Sequence, residues 1–505
     1  MTSVLGFDLG TGGIRASVYD ISGKAAVLGS AEENYETAYP RPGWAEQQPE
    51  EWWTALLRAG RRAVELSGRS DIAAVAVATT ASTVVACRGD STPVCPALLW
   101  MDCRAAREAQ ETGTVRHPVM AYSGGEDAAE WLVPKAMWLK RHAPEVFAGA
   151  EVICEAIDYL NYRLSGEWAA SRMNAACKWN YDSAAGAFVP AIYEALGIAE
   201  LGEKLPSRVV PVGGAVGRLR AEVAAGLGLS TRPLLAQGGI DAHIGMLGAG
   251  TIDPGSMLII GGTSVVHLTH LEAQQDLPGF WGPYPNALID GRWLVEGGQV
   301  SAGAILHWLA HKIFGLDPAG HQALIAEATQ VSPEAAGLAV LDYWMGNRTP
   351  YRDAGLRGAI LGLSLGHGRA EIYRAAADTV ALGTVNVLQA LEEAGVAIDR
   401  IVMAGGICNN ALWLRATIDA LGRPVSLVRE ENLSTLGAAV SAAHALGGFA
   451  DLAAASRMLA ATGKAMEPDP KRTQWYRAAL GDYRGLTQVL KPALHRLSGI
   501  QAGTT

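Results

Sequence analysis

The sequence predicts an α/β protein with two domains of related architecture. Three observations support this prediction. Strand-like and helix-like apolar patterns alternate, a glycine-rich hairpin occurs twice about half a chain apart, and a third glycine pair ends a buried strand near residue 405. The 505 residues are 49% hydrophobic and 18% charged, which indicates globular domains with sizeable cores and excludes a disordered chain.

The first predicted hairpin has strands at residues 4–8 and 14–19, joined by the turn Leu9-Gly10-Thr11-Gly12-Gly13. Without Cβ atoms, the turn glycines let backbone N–H groups approach an anion closely, and the threonine adds a hydroxyl donor. Asp8 ends the first strand, where a carboxylate beside phosphate oxygens would need a cation such as Mg²⁺. The pattern favours a phosphate-binding turn, with a plain hairpin turn as the alternative.

The second hairpin repeats this plan, with strands at residues 256–260 and 265–268 around the turn Gly261-Gly262-Thr263-Ser264. Two facing turns of this kind would hold the several phosphates of a nucleoside triphosphate from both domains. The stretch between the hairpins predicts strands at residues 72–79 and 234–238 and helices at residues 50–66 and 129–141.

A third unit follows in the second half. Residues 401–404 form a buried-strand pattern that ends in Gly405-Gly406, and a helix is predicted from about Asn410 until Gly422 and Pro424 stop it. Strand, double glycine and helix is a geometry suited to the edge of a nucleotide site. The sequence contains neither a P-loop motif nor a Rossmann fingerprint after a strand, so ordinary P-loop and dinucleotide-binding folds are poor candidates.

Asp241 lies in Gly238-Gly239-Ile240-Asp241-Ala242-His243, after an apolar strand and before the glycine-rich stretch 245–255. A carboxylate at the mouth of a cleft is suited to take the proton of an attacking hydroxyl in phosphoryl transfer. The alternative is an aspartate that makes a turn or caps a helix. We interpret His243 as a packed or hydrogen-bonded histidine.

Charge and cysteine content limit the partners and the compartment. The formal net charge is −9 and the basic residues form no run, so neither nucleic acid nor an anionic membrane is expected as a partner. The six cysteines form no Cys-x-x-Cys pair, which argues against a disulfide framework and a zinc site. We expect no signal peptide, no membrane-spanning segment and a cytoplasmic location.

These motifs resemble, in order and spacing, those of the FGGY family of carbohydrate kinases, over nearly the whole chain. Within that family, seven segments look like the ribulokinase-type pentulose kinases: Trp100-Met101-Asp102-Cys103-Arg104, Pro134-Lys135 with Trp138-Leu139-Lys140, Cys177-Lys178-Trp179, Asp241-Ala242-His243, Trp281-Gly282-Pro283-Tyr284, Glu296-Gly297-Gly298-Gln299 and Gly346-Asn347-Arg348-Thr349-Pro350. The resemblance implies two actin-like (ribonuclease-H-like) domains with a deep cleft between them. Residues 1–247 would bind sugar and phosphate, and residues 248–505 would bind ATP.

The resemblance also implies ATP and Mg²⁺ as cofactors and a role for each matched residue. Asp241 would be the general base, and Asp8 and Asp241 would face the metal. The ATP-binding candidates are Thr11, Gly12, Gly13, Arg15, Gly262, Thr263, Gly303, Gly405, Gly406 and Asn409. The substrate-binding candidates are Thr80, Trp100, Glu130, Lys178, Asp241 and Glu296, with Asp102 as a further sugar candidate. For two of these a packing role is the alternative: Trp100 in the core, and Asp102 in an ion pair with Arg104.

The expected reaction is phosphorylation of a terminal hydroxyl of a ketopentose, D-ribulose first. The alternatives are another small ketose or polyol (L-ribulose, D-xylulose or a tetrulose) and, from a different class, a non-catalytic nucleotide-dependent sugar-binding protein. Two departures from the ribulokinase pattern bear on the sugar, because Ala78 stands at an acidic position and Leu132 where glutamine is common. The sugar and ATP are the expected partners, and a homodimer is the assembly considered.

Overall fold

Strands and helices alternate along the chain in the computed structural model, which describes residues 2–428, 432–461 and 463–501. The strands are β1 (Ser3–Leu9), β2 (Gly13–Asp20), β3 (Ala26–Asn34), β4 (Glu46–Gln47), β5 (Ala74–Thr79), β6 (Val84–Cys87), β7 (Ala97–Leu98), β8 (Val152–Glu155), β9 (Ala170–Ser171), β10 (Val209–Val210), β11 (Ala215–Arg218), β12 (Leu234–Ala236), β13 (Ser256–Gly261), β14 (Val265–Leu271), β15 (Trp281–Pro285), β16 (Trp293–Gln299), β17 (Ala339–Leu341), β18 (Ala359–Leu361), β19 (Arg400–Ala404), β20 (Val425–Leu427) and β21 (Ala465–Met466).

The α-helices are α1 (Pro49–Ser67), α2 (Ala106–Thr112), α3 (Leu132–His142), α4 (Pro144–Gly149), α5 (Ala156–Ser165), α6 (Arg172–Lys178), α7 (Pro190–Ala195), α8 (Leu201–Lys204), α9 (Ala221–Gly226), α10 (Asp241–Ala249), α11 (Gly303–Trp308), α12 (Pro318–Gln330), α13 (Pro333–Ala336), α14 (Arg369–Glu393), α15 (Ala411–Leu421), α16 (Leu433–Ala445), α17 (Leu452–Leu459) and α18 (Pro470–Gln501). Two 3₁₀ helices (Pro118–Ser123 and Gly406–Asn409) and a π-helical turn (Leu309–Ile313) complete the described elements. None of these described helices is both long and apolar enough to span a membrane.

The two predicted hairpins form the centres of two sheets with the same plan. The first sheet has the order β11-β12-β5-β1-β2-β3, and the second has the order β15-β16-β14-β13-β19-β20-β21. In each, the first hairpin strand pairs antiparallel with the second and parallel with a later strand on its other side. The mixed α/β class and the repeated architecture are therefore confirmed.

Side-chain alternation in β1 decides what each face of the first sheet contacts. Leu5, Phe7 and Leu9 pack into the core that includes α1, whereas Val4 packs on the opposite face among residues of α10 and α16. Because strand side chains alternate with a period of two, Asp8 belongs to the face of Val4. Asp8 therefore lies on the face of the sheet that α10 and α16 cover, not on the face packed against α1.

Helix α16 comes from the second half of the chain but covers the first sheet. The approach is so close that a Cβ on Gly6 would lie 2.2 Å from the carbonyl oxygen of Thr435. Where α16 crosses α10, a Cβ on Gly437 would lie 2.1 Å from the carbonyl oxygen of Ile244. Glycine at these two positions is what lets the backbones meet.

The predicted elements are present, with differences in their bounds: β5 begins at Ala74 rather than at residue 72, β12 ends at Ala236 rather than at residue 238, and one helix starts later than predicted. Residues 129–141 were expected to be helical, but α3 begins at Leu132 because the Trp131 N–H donates to the carbonyl oxygen of Ala128 and closes a turn there. Helix α15 starts after Asn410, whose side chain caps it, and ends at Gly422 with a φ of 64°. This is the predicted start and stop.

Candidate active site

Two cavities meet at the second glycine turn. One, of about 300 Å³, is lined by nine of the predicted residues: Thr11, Thr80, Trp100, Glu130, Lys178, Asp241, Gly262, Thr263 and Glu296. The other, of about 560 Å³, is lined by Gly262, Thr263, Gly303, Gly406 and Asn409. Gly262 and Thr263 line both cavities. The structure therefore brings the sugar candidates and the ATP candidates of the second half into two adjoining spaces; we call them the sugar cavity and the nucleotide cavity.

The first glycine turn is held in place by side chains from three other segments. The Tyr35 hydroxyl donates to the carbonyl oxygen of Gly13 at 3.0 Å, and the Gln47 amide donates to that of Thr11 at 2.7 Å. The Trp100 indole N–H donates to the Thr11 hydroxyl at 2.9 Å. A Cβ on Gly12 would meet open space. The turn is thus a preformed loop with an open outer side.

Asp8 and Asp241 form a pair of carboxylates that interact electrostatically, and Asp241 lines the sugar cavity. Asp8 is buried and its Oδ1 has no hydrogen-bond partner. Burial and the negative charge of Asp241 raise the pKa of Asp8 to about 7. Asp241 is the first residue of α10 and accepts a hydrogen bond from the Ala242 N–H at 2.7 Å. Burial raises its pKa to about 6.

This carboxylate pair fits a divalent cation. Two carboxylates with raised pKa values and an orphaned buried oxygen are stabilised by positive charge, and carboxylate oxygen is a ligand type that Mg²⁺ prefers. The described residues contain no cluster of three side chains able to hold a metal by themselves. A cation here would accordingly take further ligands from phosphate oxygens and water.

Lys178 and Glu296 come from different halves of the chain and contact each other directly. The Lys178 ammonium lies 3.1 Å from the Glu296 carboxylate and above the rings of Trp131 and Trp281, 4.8 and 4.7 Å from their centroids. His243 Nε2 lies 3.3 Å from the same carboxylate. Burial raises the pKa of Glu296, but the charges of Lys178 and its neighbours outweigh burial and hold this pKa well below its usual range. The pair is charged and joins the two sides of the cavity.

A buried lysine supports the wall of the sugar cavity. The Lys135 ammonium donates to the carbonyl oxygens of Ser82 at 2.7 Å, Leu98 at 3.2 Å and Leu99 at 2.6 Å. Glu155 accepts the Ser82 N–H at 2.7 Å from the other side. These bonds fix Ser82 at a φ of 61°, in the left-handed region that residues with a Cβ seldom adopt. The segments that carry Ser82 and Trp100 into the cavity are thereby tied together.

Close backbone packing shapes the nucleotide cavity. A Cβ on Gly303 would lie 2.4 Å from the carbonyl oxygen of Gly262, and Gly405 has a φ of 89°. His307 and His321 also line the cavity, and His321 is hydrogen-bonded to the Tyr373 hydroxyl at 2.8 Å. Sequence reasoning missed both histidines.

Several candidates from the sequence line neither cavity: Asp8, Gly12, Gly13, Arg15, Gly405 and the further sugar candidate Asp102. Arg15 is half-exposed and paired with Glu32 at 3.0 Å. Asp102 is fully buried, accepts a hydrogen bond from the Ala45 N–H and forms an ion pair with Arg104 at 2.7 Å. This is the packing role that was the alternative to sugar binding. Ala78 and Leu132 are fully buried in hydrophobic clusters. Trp100 is 39% exposed, so the alternative of a core residue is wrong for it.

The sugar cavity also contains residues that the sequence did not assign to it. These are Ser82, Trp131, His243, Trp281 and Arg348, among other lining residues. His243, Trp281 and Arg348 lie in segments that matched the family pattern, which was the available signal. A single tryptophan or histidine in a sequence cannot otherwise be distinguished from a packing residue.

Comparison with known proteins gives matches over nearly the whole chain. Residues 3–248 match the model of the N-terminal domain, and residues 257–446 that of the C-terminal domain, of the FGGY family of carbohydrate kinases. An FGGY carbohydrate kinase domain-containing protein of Homo sapiens is 29% identical, with 94% of each chain covered. A ribulokinase of Shouchella clausii is 28% identical over 95% of this chain and 94% of its own. The crystal structure of a xyloylose kinase from Brucella ovis superposes with a TM-score of 0.86 at 28% identity, covering 98% of this chain and 100% of that one.

Proposed function

The chain belongs to the FGGY family of carbohydrate kinases, which are ATP-dependent sugar kinases, and from this premise we propose that it phosphorylates the terminal hydroxyl of a ketopentose. D-ribulose is the first candidate, and the product would be D-ribulose 5-phosphate. Similarity to ribulokinases over most of the chain supports a pentulose, at 26–29% identity.

The observation that carries the proposal is the position of Asp241. Its carboxylate lines the sugar cavity, and that cavity opens at Gly262 and Thr263 into the nucleotide cavity. A hydroxyl held beside Asp241 would face a γ-phosphate held at the second glycine turn. This arrangement supports transfer of a phosphoryl group from a ligand in one cavity to a ligand in the other. A protein that only bound sugar would not need a carboxylate at this position.

The residues divide the transfer reaction between them. Asp241 accepts the proton of the attacking hydroxyl, whose oxygen bonds to the γ-phosphorus while the bridging oxygen leaves with the nucleoside diphosphate. Backbone N–H groups of the two glycine turns hold phosphate oxygens, and Lys178 and Glu296 hydrogen-bond to sugar hydroxyls. Asp8 and Asp241 would hold Mg²⁺, which supplies positive charge against the phosphate oxygens.

The division of labour between the two halves is part of the same proposal. Residues 1–247 supply the sugar cavity with Thr80, Trp100, Glu130 and Lys178, and residues 248–505 supply the nucleotide cavity. The second half also contributes to the sugar cavity, through Glu296, Trp281, Arg348 and the second glycine turn.

A coupled assay of ADP release tests the proposal. The purified chain is given ATP, Mg²⁺ and, one at a time, D-ribulose, L-ribulose, D-xylulose, D-erythrulose and glycerol, with Asp241→Asn as the control. We expect the highest kcat/KM with a ketopentose. Preference for a tetrulose or a polyol would overturn the ketopentose assignment, and ADP release that no sugar stimulates would overturn sugar phosphorylation.

A further inference from the structure

An outer cavity of about 280 Å³ continues the sugar cavity. Glu130, Trp281 and Arg348 line both spaces, whereas Gly262 and Thr263 are what the sugar cavity shares with the nucleotide cavity. The outer cavity and the nucleotide cavity therefore adjoin different parts of the sugar-cavity wall. A sugar whose terminal hydroxyl faces Asp241 would direct its other end toward the outer cavity.

Two arginines give the outer cavity an excess of positive charge. Arg348 and Arg352 both line it, and Glu130 is the acidic residue in its wall. The Arg348 guanidinium stacks on the Trp281 ring, 4.6 Å from its centroid, and Arg352 donates to the carbonyl oxygen of Ser123 at 3.3 Å. In the described part of the chain, neither guanidinium has a carboxylate within 4.0 Å. Both therefore keep donors for a ligand.

The turn that carries the two arginines is closed by its own hydrogen bonds. Asn347 and Asp353 exchange backbone hydrogen bonds at 2.9 and 2.8 Å, and the Arg352 N–H donates to the Arg348 carbonyl oxygen at 3.0 Å. The Thr349 hydroxyl accepts from the Gly298 N–H at 3.2 Å. Gly298 lies two residues after Glu296, so this bond fixes the turn to the strand that forms the sugar cavity.

We propose that Arg348 and Arg352 form an anion subsite for the far end of the substrate, so that ketoses with an acidic group at their carbonyl end are substrates of this kinase. Guanidinium groups bind carboxylate and phosphate oxygens through paired N–H donors. The proposal rests on the proposed function and leaves the transfer unchanged. The terminal hydroxyl bonds to the γ-phosphorus, its proton passes to Asp241, and the acidic group takes no part in the reaction.

Pairs of sugars that differ only at C1 test the subsite. D-fructose is the neutral member, 2-ketogluconate carries a carboxylate at C1, and fructose 1-phosphate carries a phosphate ester there. D-ribulose is measured in parallel. The variants are Arg348→Leu, Arg352→Leu and, as a control, the exposed Arg107→Leu, whose side chain is 88% exposed. The readout is the ratio of kcat/KM for the acidic and neutral members, in which a general loss of activity cancels.

We expect wild type to favour an acidic member over fructose, and Arg348→Leu to reduce that ratio about 10–100-fold, as loss of a hydrogen bond to a charged group predicts. Arg352→Leu should reduce it in the same direction, and Arg107→Leu should leave it unchanged. A response to 2-ketogluconate alone identifies the carboxylate, and a response to fructose 1-phosphate alone identifies the phosphate ester.

Two further outcomes separate this inference from the proposed function. Turnover of D-ribulose with no preference for either acid would overturn the subsite and leave the kinase assignment standing. If no sugar is phosphorylated, calorimetric titration with 2-ketogluconate and with fructose 1-phosphate decides the subsite. Binding that Arg348→Leu abolishes supports it, and the absence of binding overturns it.

Discussion

Asp241 must be ionised to take a proton, and this makes its pKa visible in the kinetics. That pKa is raised to about 6, so the fraction of usable base falls as the pH drops through that value. Because Mg²⁺ beside the carboxylate would lower this metal-free value, we predict that kcat/KM for the sugar falls about tenfold per pH unit only once the pH is well below 6. Asp241→Asn should fold normally and lose roughly 10²–10⁴-fold in kcat. Activity of the variant within a factor of two of wild type would remove Asp241 from the mechanism.

Asp8 predicts a pH-dependent stability defect in the metal-free protein. Its pKa is raised from 3.8 to about 7, so the folded state binds more protons than the unfolded state between these values, and stability falls as the pH rises through them. Asp8→Asn removes the ionisation. The variant should gain on the order of 1–3 kcal/mol over wild type at pH 8 and much less at pH 4.

Thermal unfolding of both proteins across this pH range measures the Asp8 effect. The exposed Asp276→Asn is the matched control and should show a constant difference from wild type. A difference for Asp8→Asn that is equally constant with pH would contradict the raised pKa.

Among single residues, the sequence predicted those site residues that a short local motif marks. Asp8 lies in an apolar strand and Asp241 follows one, and each is two residues from a glycine. Asp241 lines the sugar cavity, and Asp8 is its charged neighbour. Trp131 and Arg348 were not assigned, because their role depends on segments that meet only after folding. Ala78 shows the same limit, since its burial beside other alanines cannot be inferred from a family position.

Among the elements, helix α3 determines how the sugar cavity is built. Replacing Lys135 with Met would remove the ammonium donor from the carbonyl oxygens of Ser82, Leu98 and Leu99. The Leu99 oxygen keeps the Asp102 N–H at 3.0 Å, whereas a buried carbonyl oxygen left without a donor costs about 1–3 kcal/mol. We predict lower stability and a KM for the sugar raised about tenfold or more, because Ser82 and the segment before Trp100 are released. ATP affinity measured without sugar should stay unchanged.

Lys140→Met is the control for this prediction. Lys140 lies on the same helix, is partly exposed and pairs with Glu200. The Lys140→Met substitution should change neither the KM for sugar nor the KM for ATP. Equal rises in the KM for sugar and for ATP in Lys135→Met would indicate general destabilisation and reject the positioning role.

The hairpins were predictable because their signals are short-range: a turn between two apolar runs. The start of α3 was not, since the turn that delays it depends on a backbone bond between Ala128 and Trp131. The order of strands in each sheet also lies beyond local patterns. It follows from parallel pairing of β1 with β5 and of β13 with β19, which are far apart in sequence.

For the whole molecule, the crossing of α10 and α16 is a close backbone contact between an element that begins in the first half and one from the second half. Gly437→Ala would place a methyl group 2.1 Å from the carbonyl oxygen of Ile244 and force the helices apart. We predict a loss of about 1–3 kcal/mol in stability, together with reduced kcat, since α10 carries Asp241.

Gly485→Ala in α18 is the matched control, because its Cβ would meet open space. An exposed helical glycine changed to alanine should gain up to about 1 kcal/mol. Denaturant unfolding and steady-state kinetics compare the two variants. If Gly437→Ala has the stability and the kcat of wild type, the contact between α10 and α16 determines neither quantity.

The covering of the first sheet by α16 has a consequence for synthesis on the ribosome. The strands of that sheet are complete at Ala236, but the helix that covers one of its faces ends at Ala445. One apolar face of the sheet therefore stays uncovered while about two hundred further residues are synthesised, at roughly 5–20 residues per second. Chaperones that bind nascent chains would bind this face. Residues 1–247 should aggregate when expressed alone, and co-expression of residues 248–505 in the same cell should prevent this.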